Sequence, residues 1–185
     1  MPQRGWVNIV VLVVIAVAVL GGLWAVQGFG SDPQVSAVEV PDSGAPAPKV
    51  GEPAPVFAAR TIAGEEIDLA GLRGKPVWLV FNATWCANCR AEMPDIQTMH
   101  TRHGDEITIV SVFVSDTASA VAGYTSQLSL GFHNVLDAGN QIGALYRVAG
   151  VPAHYFVDAN GTLTAVEVGA LSETTMTARI EALLG

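Results

Sequence analysis

The two cysteines, Cys86 and Cys89, stand where an apolar run changes into a helical repeat, and no other stretch of the 185-residue sequence restricts the fold as strongly. Residues 77–81, Val-Trp-Leu-Val-Phe, are a continuous run of β-formers, the pattern of a strand covered on both faces; Asn82, Ala83 and Thr84 are expected to end it. From Cys89 onward apolar residues recur at Met93, Ile96 and Met99, while Arg90, Asp95, Gln97 and Arg102 take other faces. That spacing is helical. The sulfurs therefore sit at a strand-to-helix junction.

This placement sets their chemistry. Residues three apart on a first helical turn bring their Cα atoms into the roughly 4.4–6.8 Å range of a disulfide, so the pair can close and reopen with little backbone movement. Free backbone N–H groups at a helix N-terminus stabilise an anion, which makes Cys86 the attacking thiolate. Cys89 falls on the apolar stripe and is the shielded partner that resolves a mixed disulfide. Three other readings of the pair fit less well. A purely structural bridge closing so small a loop removes little chain entropy. Zinc would need His100 and His103 as further ligands, but both the ten intervening residues and the His-x-x-His spacing fall short of a finger. Covalent haem attachment needs His directly after the second Cys, where Arg90 stands.

Trp-Cys-x-x-Cys-Arg-Ala-Glu-Met-Pro after an apolar strand, Gly-Val-Pro-Ala at 150–153 and Gly-Glu-Pro-Ala-Pro-Val-Phe at 51–57 together resemble the TlpA/ResA branch of membrane-anchored thioredoxin-like proteins. The resemblance covers residues 51–185. It implies the thioredoxin fold, with 117–148 matching the branch's inserted helix and strand, and protein disulfides as substrates, often the cysteines of apocytochrome c.

Ahead of this domain, residues 7–26 are interrupted only by Asn8, Gly21 and Gly22. At about 1.5 Å per residue such a helix crosses a bilayer core of about 30 Å. Residues 1–27 are thus expected to form a transmembrane anchor. Arg4 precedes the span and no Lys or Arg follows it before Glu39, which places the N-terminus in the cytoplasm and the domain outside, on the periplasmic or cell-surface side. A cleaved signal peptide is the other reading, but its apolar region is typically about 7–15 residues and no clear Ala-x-Ala follows here. No cysteine near the span supports a lipid anchor. Residues 28–50, with Pro33, Pro41, Pro46 and Pro48, read as a flexible Pro/Gly/Ala linker. Its reach is on the order of 25–30 Å, so the domain stays near the membrane.

The order of elements predicts an α/β sandwich around a mixed sheet. A hairpin is expected over 55–60 and 66–69, and strands over 107–114 and 134–136. Helices are expected over 119–128 and 141–148, the latter ended at Gly150. Strands at 155–157 and 163–168 flank the turn Asp158-Ala-Asn-Gly161, and a last helix covers 174–184 with Ser172 as N-cap. An apolar content of 50% suffices for a core. Beyond residue 30 eight Lys or Arg face seventeen Asp or Glu, and there is no basic cluster or phosphate loop, so nucleic acid is not an expected partner.

Several further positions bear on a site. Glu92 falls between Ile96 and Met99 on the apolar stripe, where desolvation would couple its titration to the thiols and let it accept a proton; as a first-turn acid it would only complement the helix dipole. The resemblance places a functional glutamate there. It also places a cis proline at Val151-Pro152 beside the disulfide, where the Val151 backbone can pair with an extended substrate segment; the plain reading is a trans proline opening a strand. Trp85 is expected on the docking surface, although a core aromatic is the commoner case. Pro94 is expected to kink the helix, and His100 and His103 to act as charges on its C-terminal dipole. Val80 stands where many thioredoxins bury an aspartate. His154 replaces the branch's usual Thr and reads as a hydrogen-bonded strand histidine, with contact to the chemistry as the lesser reading.

The expected function is thiol-disulfide exchange through Cys86 and Cys89, without organic cofactor or metal. A lone pair in an oxidising compartment does not stay reduced unaided, so a reducing role implies a separate membrane thiol reductase as electron donor. The resemblance favours reduction, although Ala87-Asn88 between the cysteines is unusual for the branch. An oxidant that introduces disulfides, and a non-catalytic thiol or metal-binding assembly factor, remain alternatives. The Pro-x-x-x-Thr-x-x-Cys pattern of peroxiredoxins is absent.

Overall fold

The computed structural model describes residues 46–185 and, nearer the N-terminus, Val13, Val14, Ile15 and Val17, which are helical and exposed. Apart from those four, the expected span lies outside the described residues, as does the linker before Pro46. No helix among the described residues is long and apolar enough to cross a membrane.

Within the unit Val35–Gly185 the described elements are, in chain order, β1 (Ala58–Arg60), β2 (Glu66–Asp68), β3 (Val77–Asn82), α1 (Ala87–His103), β4 (Thr108–Val114), α2 (Ala118–Leu128), β5 (His133–Asp137), α3 (Gln141–Leu145), β6 (Ala153–Val157), β7 (Leu163–Val168) and α4 (Glu173–Leu184). The main sheet runs β5-β4-β3-β6-β7. Strand β3 pairs in parallel with β4 and antiparallel with β6, so the sheet is mixed, as the element order predicts. β1 and β2 form the expected small hairpin apart from it.

The period of two in β3 divides the core. Val77, Leu79 and Phe81 face a layer that includes Phe57, Ile142, Leu145 and Tyr146. Trp78 and Val80 face the other way, against Met93, Ile96 and Met99 of α1 and Met176 and Ile180 of α4. Every residue of β3 is buried, which is why its sequence is apolar without alternation. α1 therefore lies on the central strand, and its first turn emerges at the strand's C-terminal end.

Several boundaries differ from the sequence expectation. Asn82 belongs to β3 rather than ending it. It pairs with Phe113, and its buried amide donates to Ser111 Oγ at 2.7 Å, a partner that sequence does not reveal. α3 stops at Leu145 instead of reaching Val148, because Arg147 takes a left-handed φ of 53° that a helix cannot continue through. β6 starts two residues early, at Ala153, directly after the proline. α1 continues through Pro94 to His103. Ser172 does cap α4, its Oγ accepting from Thr175 N at 3.2 Å, and Asp158 Oδ1 closes the β6–β7 turn by accepting from Asn160 N and Thr162 N.

Candidate active site

Cys86 is the N-cap residue of α1, with extended backbone angles. Its Sγ accepts from the backbone N–H of Cys89 at 3.1 Å, the contact by which a helix N-terminus stabilises a thiolate. The two cysteines are joined in a disulfide with a Cα–Cα distance of 5.3 Å. The preceding loop is fixed from β4's end: Asp116 accepts from Thr84 N at 2.7 Å and from Thr84 Oγ1 at 3.1 Å. Cys89 is 1% exposed and Cys86 8%, so in the disulfide form both are buried and Cys86 is less open than its expected role as the accessible nucleophile suggests.

Part of the cover is the loop before β6. The Val151–Pro152 peptide bond is cis, and Cys86 Sγ lies 3.7 Å from the Val151 carbonyl oxygen. Val151 packs with Ala83 and both cysteines in one small apolar cluster. Trp85, by contrast, is 62% exposed beside them. It is a surface aromatic rather than a core one.

One turn further along α1, Glu92 is buried. Its Oε2 accepts from the backbone N–H of Leu171 at 2.9 Å, in the segment before α4. Its Oε1 lies 3.5 Å from His154 Nε2, long for a hydrogen bond. His154 is wholly buried and lies opposite Val80 across the β3–β6 pair. Trp78 Nε1–H donates to His154 Nδ1 at 3.3 Å. Glu92 and His154, read separately from sequence, are thus neighbours, and Trp78 is the third member. The sequence signal was faint: an unexpected His on a strand and an unexpected Glu on an apolar stripe.

His100 and His103 are elsewhere, near the other end of α1. His103 Nδ1 sits 3.1 Å from Glu106 Oε2. Burial pushes His100 below the ordinary histidine range, and its ring packs edge-on against Phe132. Burial thus works against the helix-end charge expected of this half-buried ring. Among the described residues, no three His, Cys, Asp or Glu side chains come together as metal ligands.

Residues 50–166 match the family model described as AhpC/TSA family. The chain belongs to the AhpC/TSA family. Among curated members, it is 27% identical over 163 residues to the thiol-disulfide oxidoreductase ResA of Bacillus thuringiensis (strain Al Hakam), covering 88% of this chain and 86% of the relative. Among solved structures, a thiol:disulfide interchange protein of the thioredoxin family from Chlorobium tepidum TLS superposes with a TM-score of 0.68 at 27% identity, over 75% of this chain and all of that one (100%). A secreted Mycobacterium tuberculosis disulfide oxidoreductase, described as homologous to E. coli DsbE, superposes with a TM-score of 0.63 at 32% identity, over 69% of this chain and 96% of that one. This AhpC/TSA member thus has the thioredoxin-like α/β fold and is a thiol-disulfide oxidoreductase of ResA/DsbE-like type.

Proposed function

We propose that the chain is a membrane-tethered, extracytoplasmic disulfide reductase in which Cys86 is the nucleophile and Cys89 the resolving cysteine. The observation that carries this is the sulfur of Cys86 at the N-cap of α1, accepting from the Cys89 N–H and edged by Val151. In the reduced protein, Cys86 thiolate attacks a substrate disulfide. The substrate S–S bond breaks, a mixed disulfide forms, and the first substrate sulfur leaves as a thiolate that takes a proton from water. Cys89 then gives its proton to Glu92 and attacks Cys86 Sγ, which forms the Cys86–Cys89 bond and expels the second substrate thiolate. Two electrons pass to the substrate. A membrane thiol reductase supplies two more to the Cys86–Cys89 disulfide and restores the dithiol.

Trp85 and the backbone around Val151 and Pro152 form the docking surface for an extended protein segment, with apocytochrome c cysteines among the substrates. Residues 1–27 anchor the chain with its N-terminus in the cytoplasm, 28–50 tether it, and 51–185 work outside. The relatives' descriptions support exchange chemistry, and one of them is described as secreted. Direction is tested by the reduction potential of the Cys86–Cys89 pair in the full chain, equilibrated against glutathione and against a stronger dithiol. A potential well below that of the glutathione pool is expected; one as oxidising as a disulfide-forming enzyme overturns the reductase reading. Cys89→Ser should accumulate the mixed disulfide with substrate through Cys86, whereas accumulation through Cys89 in Cys86→Ser alone would reverse the two roles.

A further inference from the structure

Behind Glu92 the structure holds two further buried polar side chains, His154 and Trp78. His154 Nδ1 accepts the indole N–H of Trp78, and an indole nitrogen can only donate, so Nδ1 carries no proton. A neutral imidazole must then carry its proton on Nε2. That nitrogen lies 3.5 Å from Glu92 Oε1. Neither atom has any other hydrogen-bond partner. Leaving a ring N–H and a carboxylate oxygen both buried and unpaired is costly, and closing the gap by a few tenths of an ångström satisfies both.

We propose that His154 is a positioning residue for disulfide exchange, in that Trp78 fixes its Nε2–H tautomer and that N–H holds Glu92 in the orientation and proton-accepting form that resolution by Cys89 requires. This rests on reading Glu92 as the proton acceptor for Cys89. Glu92 accepts from Leu171 N–H on Oε2, and the proposed His154 bond holds its other oxygen, Oε1, which otherwise has no partner. The arrangement occupies the position where Val80, opposite His154, removes the buried aspartate that many thioredoxins use.

Other charges face the pair from the elements packed around it. Glu167 of β7 lies directly across from His154 and is ion-paired with Arg179 of α4. Tyr124 of α2 is close enough to feel both Glu92 and Arg90, and burial pushes its phenol up, so it stays neutral through the working range. On α1 itself the neighbours are Arg90 and the cysteines.

The test uses the full chain. Nitrogen-15 NMR of the labelled histidines should show His154 as the Nε2–H tautomer at neutral pH; an Nδ1–H tautomer or a doubly protonated ring overturns the proposal without any variant having to fold. Turnover against pH is then compared in the parent, His154→Phe, His154→Gln, Glu92→Gln and the double variant His154→Phe/Glu92→Gln. His154→Phe keeps a flat apolar ring and loses both nitrogens, so the acidic limb should move to higher pH. His154→Gln, which still offers a donor, should move it less. In the Glu92→Gln background, His154→Phe should have no effect on the profile. A limb unmoved by His154→Phe, or moved equally in both backgrounds, sinks the role of His154 while leaving Glu92 in place. A limb unchanged by Glu92→Gln itself sinks the Glu92 reading, and with it this inference.

Discussion

Cys86 and Cys89 differ in one respect that decides their roles: Cys86 ends the loop from β3, whereas Cys89 is already on the face of α1 turned toward the sheet. Glu92 shares that face, three residues on from Cys89. Glu92→Gln keeps the shape and the acceptor for Leu171 N–H, so the fold should survive. Without the negative charge the thiolates form more readily, and the pH profile of Cys86 alkylation in the reduced chain should move to lower pH. Turnover should nevertheless fall, by about 100-fold if Glu92 supplies general-base catalysis to Cys89. Alkylation and turnover profiles that match the parent across pH would reduce Glu92 to a structural anchor for the segment before α4.

α1 is organised differently at its two ends. At the first turn the free N–H groups are turned to chemistry through Cys86, and Asp116 holds the approach to it. Near the last turn, His100 packs on Phe132 and the 131–132 backbone rather than on solvent, and burial makes its ring harder to protonate than in the unfolded chain. The unfolded chain therefore binds a proton that the folded chain releases. Stability from this source is fully present above the ordinary histidine value and is lost as pH falls through the window below it, down to the depressed folded value. Urea unfolding of the oxidised chain between pH 8 and pH 5 should show a shallower loss of stability in His100→Gln than in the parent. Equal slopes would mean that His100 does not titrate with folding. Of α1, the sequence period revealed the buried face, but the neighbours of His100 come from the loop after α2, far away in the chain.

For the whole molecule, the proposed arrangement puts chemistry on the far side of a membrane from the source of reducing power. A reporter that is active only outside the cytoplasm, fused after Gly185, should be active; activity confined to the cytoplasm would refute the topology drawn from Arg4 and the acidic flank. Elements with a local signal are legible in the residues alone. A strand buried on both faces shows as an unbroken apolar run, a helix as a 3.6-residue period, and a turn as Asp158-Ala-Asn-Gly161. The disulfide was legible because residues three apart on one helical turn are neighbours by geometry. Tertiary structure decided everything that needs two distant segments at once. Asp116 reaches Thr84 across the end of β4, Asn82 reaches Ser111, and Val151 covers Cys86 only because β6 pairs beside β3. The contact of Trp78, His154 and Glu92 belongs to this class. Each lies on a different element, and only the antiparallel register of β6 on β3, with α1 laid over both, brings an indole, an imidazole and a carboxylate into one buried line.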